Sequence, residues 1–200
     1  MSKDRHPHIQ RLEDSLRESP GTPTSPQGIA VWAAVAVILR ECRGTPELLF
    51  IKRVERETDT WSGHVALPGG RRDPGDDSLL VTAVRETWEE IGVDLTVVGR
   101  PLGALSDVAP RSPVLPPIAV RPHVFVVPED CGLVAGAEVA DTFWVPLEHL
   151  ADAGRRGRTS VATHGFRLEV DAILYGPHVI WGMTCRVVDD LVARFADPVG

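Results

Sequence analysis

Long apolar runs broken by short polar interruptions outline most of the elements of this chain. IAVWAAVAVIL, from Ile29 to Leu39, is the longest such run. It is too short to span a bilayer and reads as a central strand buried on both faces. ELLFIKR (47–53) is a second strand, set off by ECRGTP, which has the composition of a turn. The polar loop VERETDTWSG comes next, then the short apolar segment HVALP and a Gly69-Gly70 turn. Leu80, Ala83, Val84, Trp88 and Ile91 recur at helical spacing and mark the core face of a helix. Asp76 or Asp77 can cap its start, and Gly92 suits the position just past its end. VDLTVVGRPLGAL and IAVRPHVFVV alternate like strands on either side of the proline-rich APRSPVLPP. EVADTFWVPL is a further strand, followed by a short helix, EHLADA. RTSVATHGFRLEV makes a hairpin around His164-Gly165, and a last helix runs from near Trp181 to Phe195. Mixed strands with a few interspersed helices, and no internal repeats, predict an α/β sandwich.

Ahead of this lies IQRLEDSLRE (9–18), a short amphipathic helix, and PGTPTSPQG (20–28), whose three prolines make an extended linker. Residues 1–27 are therefore expected as N-terminal helix and linker, and 28–200 as one domain. A chain of 200 residues with 43% hydrophobic content can bury one substantial core. Its net charge of -7 argues against broad binding to nucleic acid, which leaves a basic footprint. A small anionic substrate is still allowed, because a bound metal can dominate the local field. Cys42, Cys131 and Cys185 form no C-x-x-C pair and read as free thiols of a reducing compartment. The charged N-terminus lacks the apolar core of a signal peptide, so a soluble cytoplasmic protein with no membrane partner is expected.

The chemistry concentrates in GGRRDPGDDSLLVTAVRETWEEIGV (69–93). Glu86, Glu89 and Glu90 stand at i, i+3 and i+4, within roughly a 100° arc of a helix. Like charges on one face cost helix stability unless a cation compensates. The glycines just before the helix admit close approach of a phosphate-bearing ligand. Together they point to a divalent-metal site for phosphate chemistry, against the plainer reading of a solvated acidic face. Arg85, four residues before Glu89, can pair with it.

RETWEEIGV resembles the core of the Nudix box, R-E-U-x-E-E-x-G-U with U apolar; Thr87 takes the first U position and Val93 the last. The usual box has a Gly fourteen residues before the Arg and a Glu eight before it, where this chain has Arg71 and Asp77. Gly70 stands one residue further back, so the loop is one residue longer. LPGGRRDPGDD resembles the coenzyme A diphosphatase subgroup, in which F-P-G-G-K-x-D-P-x-D precedes the helix with the same longer loop. LLFIKR and the later Gly63-x-x-x-Leu67-Pro-Gly-Gly look like that subgroup's upstream signature. Phe143-Trp144-Val145-Pro146-Leu147 and Ile180-Trp181-Gly182-Met183-Thr184 look like its F-W-V-P-L and I-W-G-x-T elements. The resemblance covers residues 29 to 195. One departure is Arg53-Val54, where the subgroup carries R-S or R-A and another Arg in the following loop, a place Arg56 can take.

The resemblance implies a Nudix fold, an α/β/α sandwich with a mixed β-sheet. It implies Mg²⁺ or Mn²⁺ on Glu86, Glu89, Glu90 and a carbonyl of Gly70 or Gly69. Arg85 would orient a catalytic glutamate, and the general base would be a box glutamate (Glu89 or Glu90) or the loop acid Glu138. Arg53, Arg71 and Arg72 are candidate phosphate contacts, and Trp61 a candidate stacking surface for a base. Asp77 is either an outer-shell acid or a helix cap, and Trp181 either core or substrate lining. The implied substrate is a small-molecule nucleotide: coenzyme A or its derivatives, cleaved to 3',5'-ADP and 4'-phosphopantetheine. ADP-ribose or a dinucleotide is the alternative. A non-catalytic Nudix-fold ligand-binding module is disfavoured, because such proteins typically lose box carboxylates. A homodimer is also allowed, with the N-terminal helix and linker reaching across to a partner.

Overall fold

Strict alternation along the longest apolar run sends successive side chains to opposite faces of one sheet. The computed structural model describes residues 7–55, 63–110, 117–163 and 166–195. Strand β1 (Val31–Cys42) is the axis of the main sheet. Ala33, Val37 and Leu39 enter one core, while Ala34, Ala36 and Ile38 enter the other. Strand β2 (Thr45–Arg53) divides likewise, Leu48 and Phe50 from Leu49 and Ile51.

β1 and β2 pair only near their connecting turn, from Leu39↔Leu48 to Cys42↔Thr45, and then part. The fork is filled by the next segment. β3 (Val65–Ala66) pairs with β2, and β4 (Gly69–Arg71) pairs antiparallel with β1. Gly69-Gly70, expected as a turn, is thus strand. After helix α2 (Leu79–Ile91) come β5 (Arg100–Ala104), β6 (Ile118–Val126) and β7 (Val139–Pro146). β6 runs parallel to β1, from Val31↔Ile118 to Leu39↔Val126, and the other pairings are antiparallel, so the sheet is mixed. β7 pairs with the free side of β2. The expected strand character of VDLTVVG fails: Asp94 accepts hydrogen bonds from the Thr96 amide (2.9 Å) and hydroxyl (2.5 Å), bending residues 95–98 into turns.

Short helix α3 (Leu147–Ala151) leads to a second, antiparallel sheet of β8 (Arg156–Thr163), β9 (Phe166–Tyr175) and β10 (His178–Trp181), and helix α4 (Gly182–Phe195) closes the described chain. Trp181 therefore ends a strand instead of opening the helix. The turn at His164-Gly165, like Arg56 and Trp61, lies outside the described residues.

Helices cover both faces of the main sheet, as the α/β/α expectation requires. α2 packs through Ala83 and Ile91 on the core of Ala34, Ala36 and Ile38. The opposite core takes Leu147 and Leu150 of α3, Val188 and Leu191 of α4, and Leu12 and Leu16 of helix α1 (Pro7–Glu18). α1 therefore packs on its own chain, and the proline-rich stretch after it is tied down at Gly21 N–H to the Ala104 carbonyl, 3.1 Å. No helix among the described residues is long and apolar enough to cross a membrane.

One polar group in this framework is left without a hydrogen-bond partner among the described residues: the buried Nε2 of His123, on β6. Burial, with a smaller push from Arg121, lowers its pKa to about 4. In the unfolded chain a histidine titrates near 6.5. Between those values the unfolded state binds more protons, so stability rises with pH. Taken alone, this group lowers the melting temperature as pH falls from 7 toward 4.5, so His123→Phe is expected to gain on wild type across that window, the buried glutamates described below contributing equally to both. A variant with the wild-type pH profile would show that His123 is not the group responsible.

Candidate functional site

The loop between β4 and α2 is built by Asp73-Pro74-Gly75-Asp76. The Asp76 N–H donates to the Asp73 carbonyl at 3.0 Å, closing a four-residue turn with proline at its second position. The Asp76 carboxylate accepts the Asp73 N–H in return, also at 3.0 Å. Arg72 clamps the turn, its Nη2 2.9 Å and its Nε 3.2 Å from the Asp76 carbonyl. Neither expected aspartate caps the helix: Ser78 does, its hydroxyl accepting the Val81 N–H at 3.3 Å. Gly92, left-handed, ends the helix by donating its N–H to the Trp88 carbonyl.

Asp76 is turned inward and is only 5% exposed. It accepts the Thr82 hydroxyl at 2.8 Å and the Arg85 fork at 3.1 Å (Nε) and 3.0 Å (Nη2). The Arg85 guanidinium holds its carboxyl well below the usual carboxylate range, and Arg85 is itself driven further toward the charged form by Asp76. Arg85 continues outward, with Nη1 2.9 Å from Glu86 and 3.2 Å from Glu89, and Nη2 3.1 Å from the Arg71 carbonyl. The expected Arg85–Glu89 contact is present, but the buried partner is Asp76. Asp77, which stands at the usual box position, contributes a backbone carbonyl 3.5 Å from Arg72.

Glu90 is buried on the inner side of α2. Its Oε2 accepts the Gly69 N–H at 2.8 Å, and Arg53 Nη1 lies 3.5 Å from its Oε1. Burial pushes its carboxyl up to about 7; the Gly69 N–H and Arg53 oppose the rise, and Glu86 and Glu138 add to it. Glu86 is likewise pushed up by burial, against the pull of Arg85. The two glycines let the helix come this close. A Cβ on Gly70 would sit 2.4–2.5 Å from the atoms of the Glu86 carboxylate, and one on Gly69 would meet the Ala34 carbonyl at 2.3 Å.

Bringing Glu86 and Glu90 to β4 rotates α2 away from the face expected from its apolar residues. Trp88 is 58% exposed and Leu80 39%, whereas Thr82 and Thr87 are fully buried beside Ala83 and Ile91. The Thr87 hydroxyl donates to the Ala83 carbonyl at 2.7 Å. Its polarity is satisfied within the helix, which is how a threonine fills a position usually apolar.

The other sequence candidates divide. Arg53 reaches Glu90, Arg71 is exposed on β4, and Arg72 is engaged by the loop. Glu138 is exposed just before β7, its carbonyl accepting the Val54 N–H at 3.0 Å, and it acts on Glu90 through its charge. Asp76 is the residue that box spacing missed; the signal for it was the D-P-G-D turn, which delivers the second aspartate inward. Glu86, Glu89 and Glu90 offer oxygen donors with excess negative charge at two desolvated carboxylates, a chemistry that suits a hard divalent cation. Among the described residues no three acidic, histidine or cysteine side chains converge as a ready-made cage. Glu89 is 54% exposed and engaged with Arg85.

Residues 31–163 match the NUDIX domain family. The chain is 34% identical over 172 residues to human mitochondrial coenzyme A diphosphatase NUDT8, covering 78% of this chain and 66% of that protein. The mouse protein of the same name is 32% identical over 180 residues, covering 83% and 79%. An uncharacterized Nudix hydrolase, NudL, of Yersinia pestis is 32% identical over 154 residues, covering 76% and 74%. Among solved structures, a MutT/nudix family protein from Enterococcus faecalis superposes with a TM-score of 0.54 at 16% identity, over 96% of this chain and 73% of that one, a likeness of fold. With the forked sheet and the glutamate-bearing helix behind it, this chain belongs to the Nudix family. It is a Nudix hydrolase, and its relatives at 32–34% identity include coenzyme A diphosphatases.

Asp76→Ala removes the inward partner of Arg85 and Thr82 and is expected to cost about 3 kcal/mol in urea unfolding. Asp77→Ala is expected to stay within about 0.5 kcal/mol of wild type. The reverse ranking would restore Asp77 as the partner.

Proposed function

We propose that this protein hydrolyses the diphosphate of coenzyme A or its derivatives, giving 3',5'-ADP and 4'-phosphopantetheine, with Mg²⁺ or Mn²⁺. The observation that carries the chemistry is the pair of desolvated glutamates, Glu86 and Glu90, held against the Gly69-Gly70 strand. The choice of substrate is supported by the identity to the two NUDT8 proteins and by the long D-P-G-D loop.

Glu86 and Glu90 would hold the cation, with Glu89 and a carbonyl of the Gly69-Gly70 strand available to complete its shell. When bound, a divalent ion neutralises phosphate oxygens and lowers the pKa of water. Glu89, the most accessible of the three, accepts the proton of the attacking water as its oxygen bonds to phosphorus and the bridging P–O bond breaks. Arg85 keeps Glu89 and Glu86 in place from the anchor at Asp76. Arg53 and Arg71 face the charge that gathers on the phosphates. Glu138 supplies negative charge near Glu90 and is the alternative base. Arg53-Val54, in place of the subgroup's R-S or R-A, favours a second reading, hydrolysis of ADP-ribose or a dinucleotide.

A substrate panel with Mg²⁺ or Mn²⁺, its products separated by chromatography, decides between them. Coenzyme A is expected to give 3',5'-ADP; coenzyme A left intact while ADP-ribose is cleaved would move the assignment to the second reading. Chelation is expected to abolish turnover. Glu89→Gln is expected to lower kcat roughly 10²-fold or more, and Glu90→Gln to lower it while also weakening metal affinity. Normal turnover in both variants would remove the mechanism.

A further inference from the structure

A second recess lies across β2 from the glutamates. Lys52 and Arg53 are successive strand residues and so leave opposite faces. Arg53 turns toward Glu90, while Lys52 joins the face of Leu48 and Phe50. On that side a cavity of about 180 Å³ opens where β10 packs on β3, lined among others by Lys52, His64, Val161 of β8, His178, Val179 and Trp181. Pockets for a whole drug-sized ligand run to about 300–1,000 Å³, so this one holds a single ring or group.

The lining is that of a slot for a flat ring. Val161 and Val179 are aliphatic walls. Three planar side chains complete it, and two are locked: His64 stands edge-on to Trp181, centroids 4.9 Å apart at 69°, and His178 stacks on Phe143 at 3.7 Å and 11°. Burial lowers the pKa of His178, with Asp141 opposing and Lys52 assisting, so at neutral pH its imidazole offers one donor and one acceptor. Lys52 brings a cation to the lining. The recess is also tied to the other site, since the His64 carbonyl accepts the Arg53 N–H at 3.1 Å.

We propose that this recess seats the nucleobase of the substrate, with Lys52 drawing in the phosphate carried by the same nucleoside. The substrate then wraps the end of β2, its diphosphate on the side of Arg53 and Glu90 and its ring among His64, His178 and Trp181. The proposal rests on the diphosphatase reading only for the identity of that substrate.

Adenosine monophosphate, which has no diphosphate to cleave, tests the recess directly. Its binding to the full chain is measured by calorimetry for wild type, for Val161→Trp, which fills the slot, and for His64→Ala, which removes one wall. Circular dichroism and melting confirm that each variant is folded. Stacked bases contribute enough for an expected loss of affinity on the order of 10-fold in both variants. In the hydrolysis assay the loss is expected in KM. Undiminished binding of the monophosphate in folded variants would overturn the proposal, as would coenzyme A cleavage with wild-type KM in both; the latter leaves the diphosphatase reading standing. Coenzyme A left uncleaved while monophosphate binding is lost in the variants would retire that reading and keep the recess.

Discussion

A single guanidinium organises the catalytic end of this molecule. Arg85 makes two hydrogen bonds to Asp76 and one each to Glu86, Glu89 and the Arg71 carbonyl, joining the loop, the helix and β4. A planar fork with fixed donor directions can serve so many oxygens at once, where an ammonium would act as a point charge. Without it, the carboxylates crowded on one side of α2 would repel one another and open the helix from the strand. Its own position depends on the D-P-G-D turn, which turns Asp76 inward to fix the guanidinium from behind.

The helix that carries this arrangement gives up packing to do so. Placing glutamates against the sheet leaves Leu80 and Trp88 outside, and the buried positions go to Thr82 and Thr87, whose hydroxyls find acceptors nearby. Local sequence preference and function pull the helix to different rotations, and function wins. Small residues make the compromise workable: Ala34 and Ala36 under α2, and the two glycines beside Glu86 and Glu90, let backbone and carboxylate meet at close range.

Much of this was legible in the chain. Within the run from Ile29 to Leu39 the strand starts at Val31, and from Ala33 onward it alternates between two cores as expected, because a strand buried on both faces needs no polar interruption. The three glutamates needed only helical spacing to fall on one face. What was hidden depends on contacts between distant segments. Nothing local says that Trp88 points out and Thr87 in, since that rotation is set by β4. Gly69-Gly70 has turn composition, and only the fork between β1 and β2 makes it a strand. Asp76 and Asp77 are indistinguishable by type, and the turn geometry alone decides which one Arg85 meets.

The parallel pairing of β1 with β6 has a consequence for how the molecule comes into being. Val31 lies beside Ile118, and β2, β4 and α2 all belong to the excursion between those two strands. Closing such a long excursion is slow compared with forming a helix or hairpin, because its entropy is lost before its contacts are gained. The acidic helix can therefore form early, and the strand that receives Glu90 pairs with β1 inside the same excursion. The glutamates and the strand that receives them thus sit inside the loop whose closure completes the sheet, and the slow step of folding is the docking of β6 on β1, not the growth of the helix.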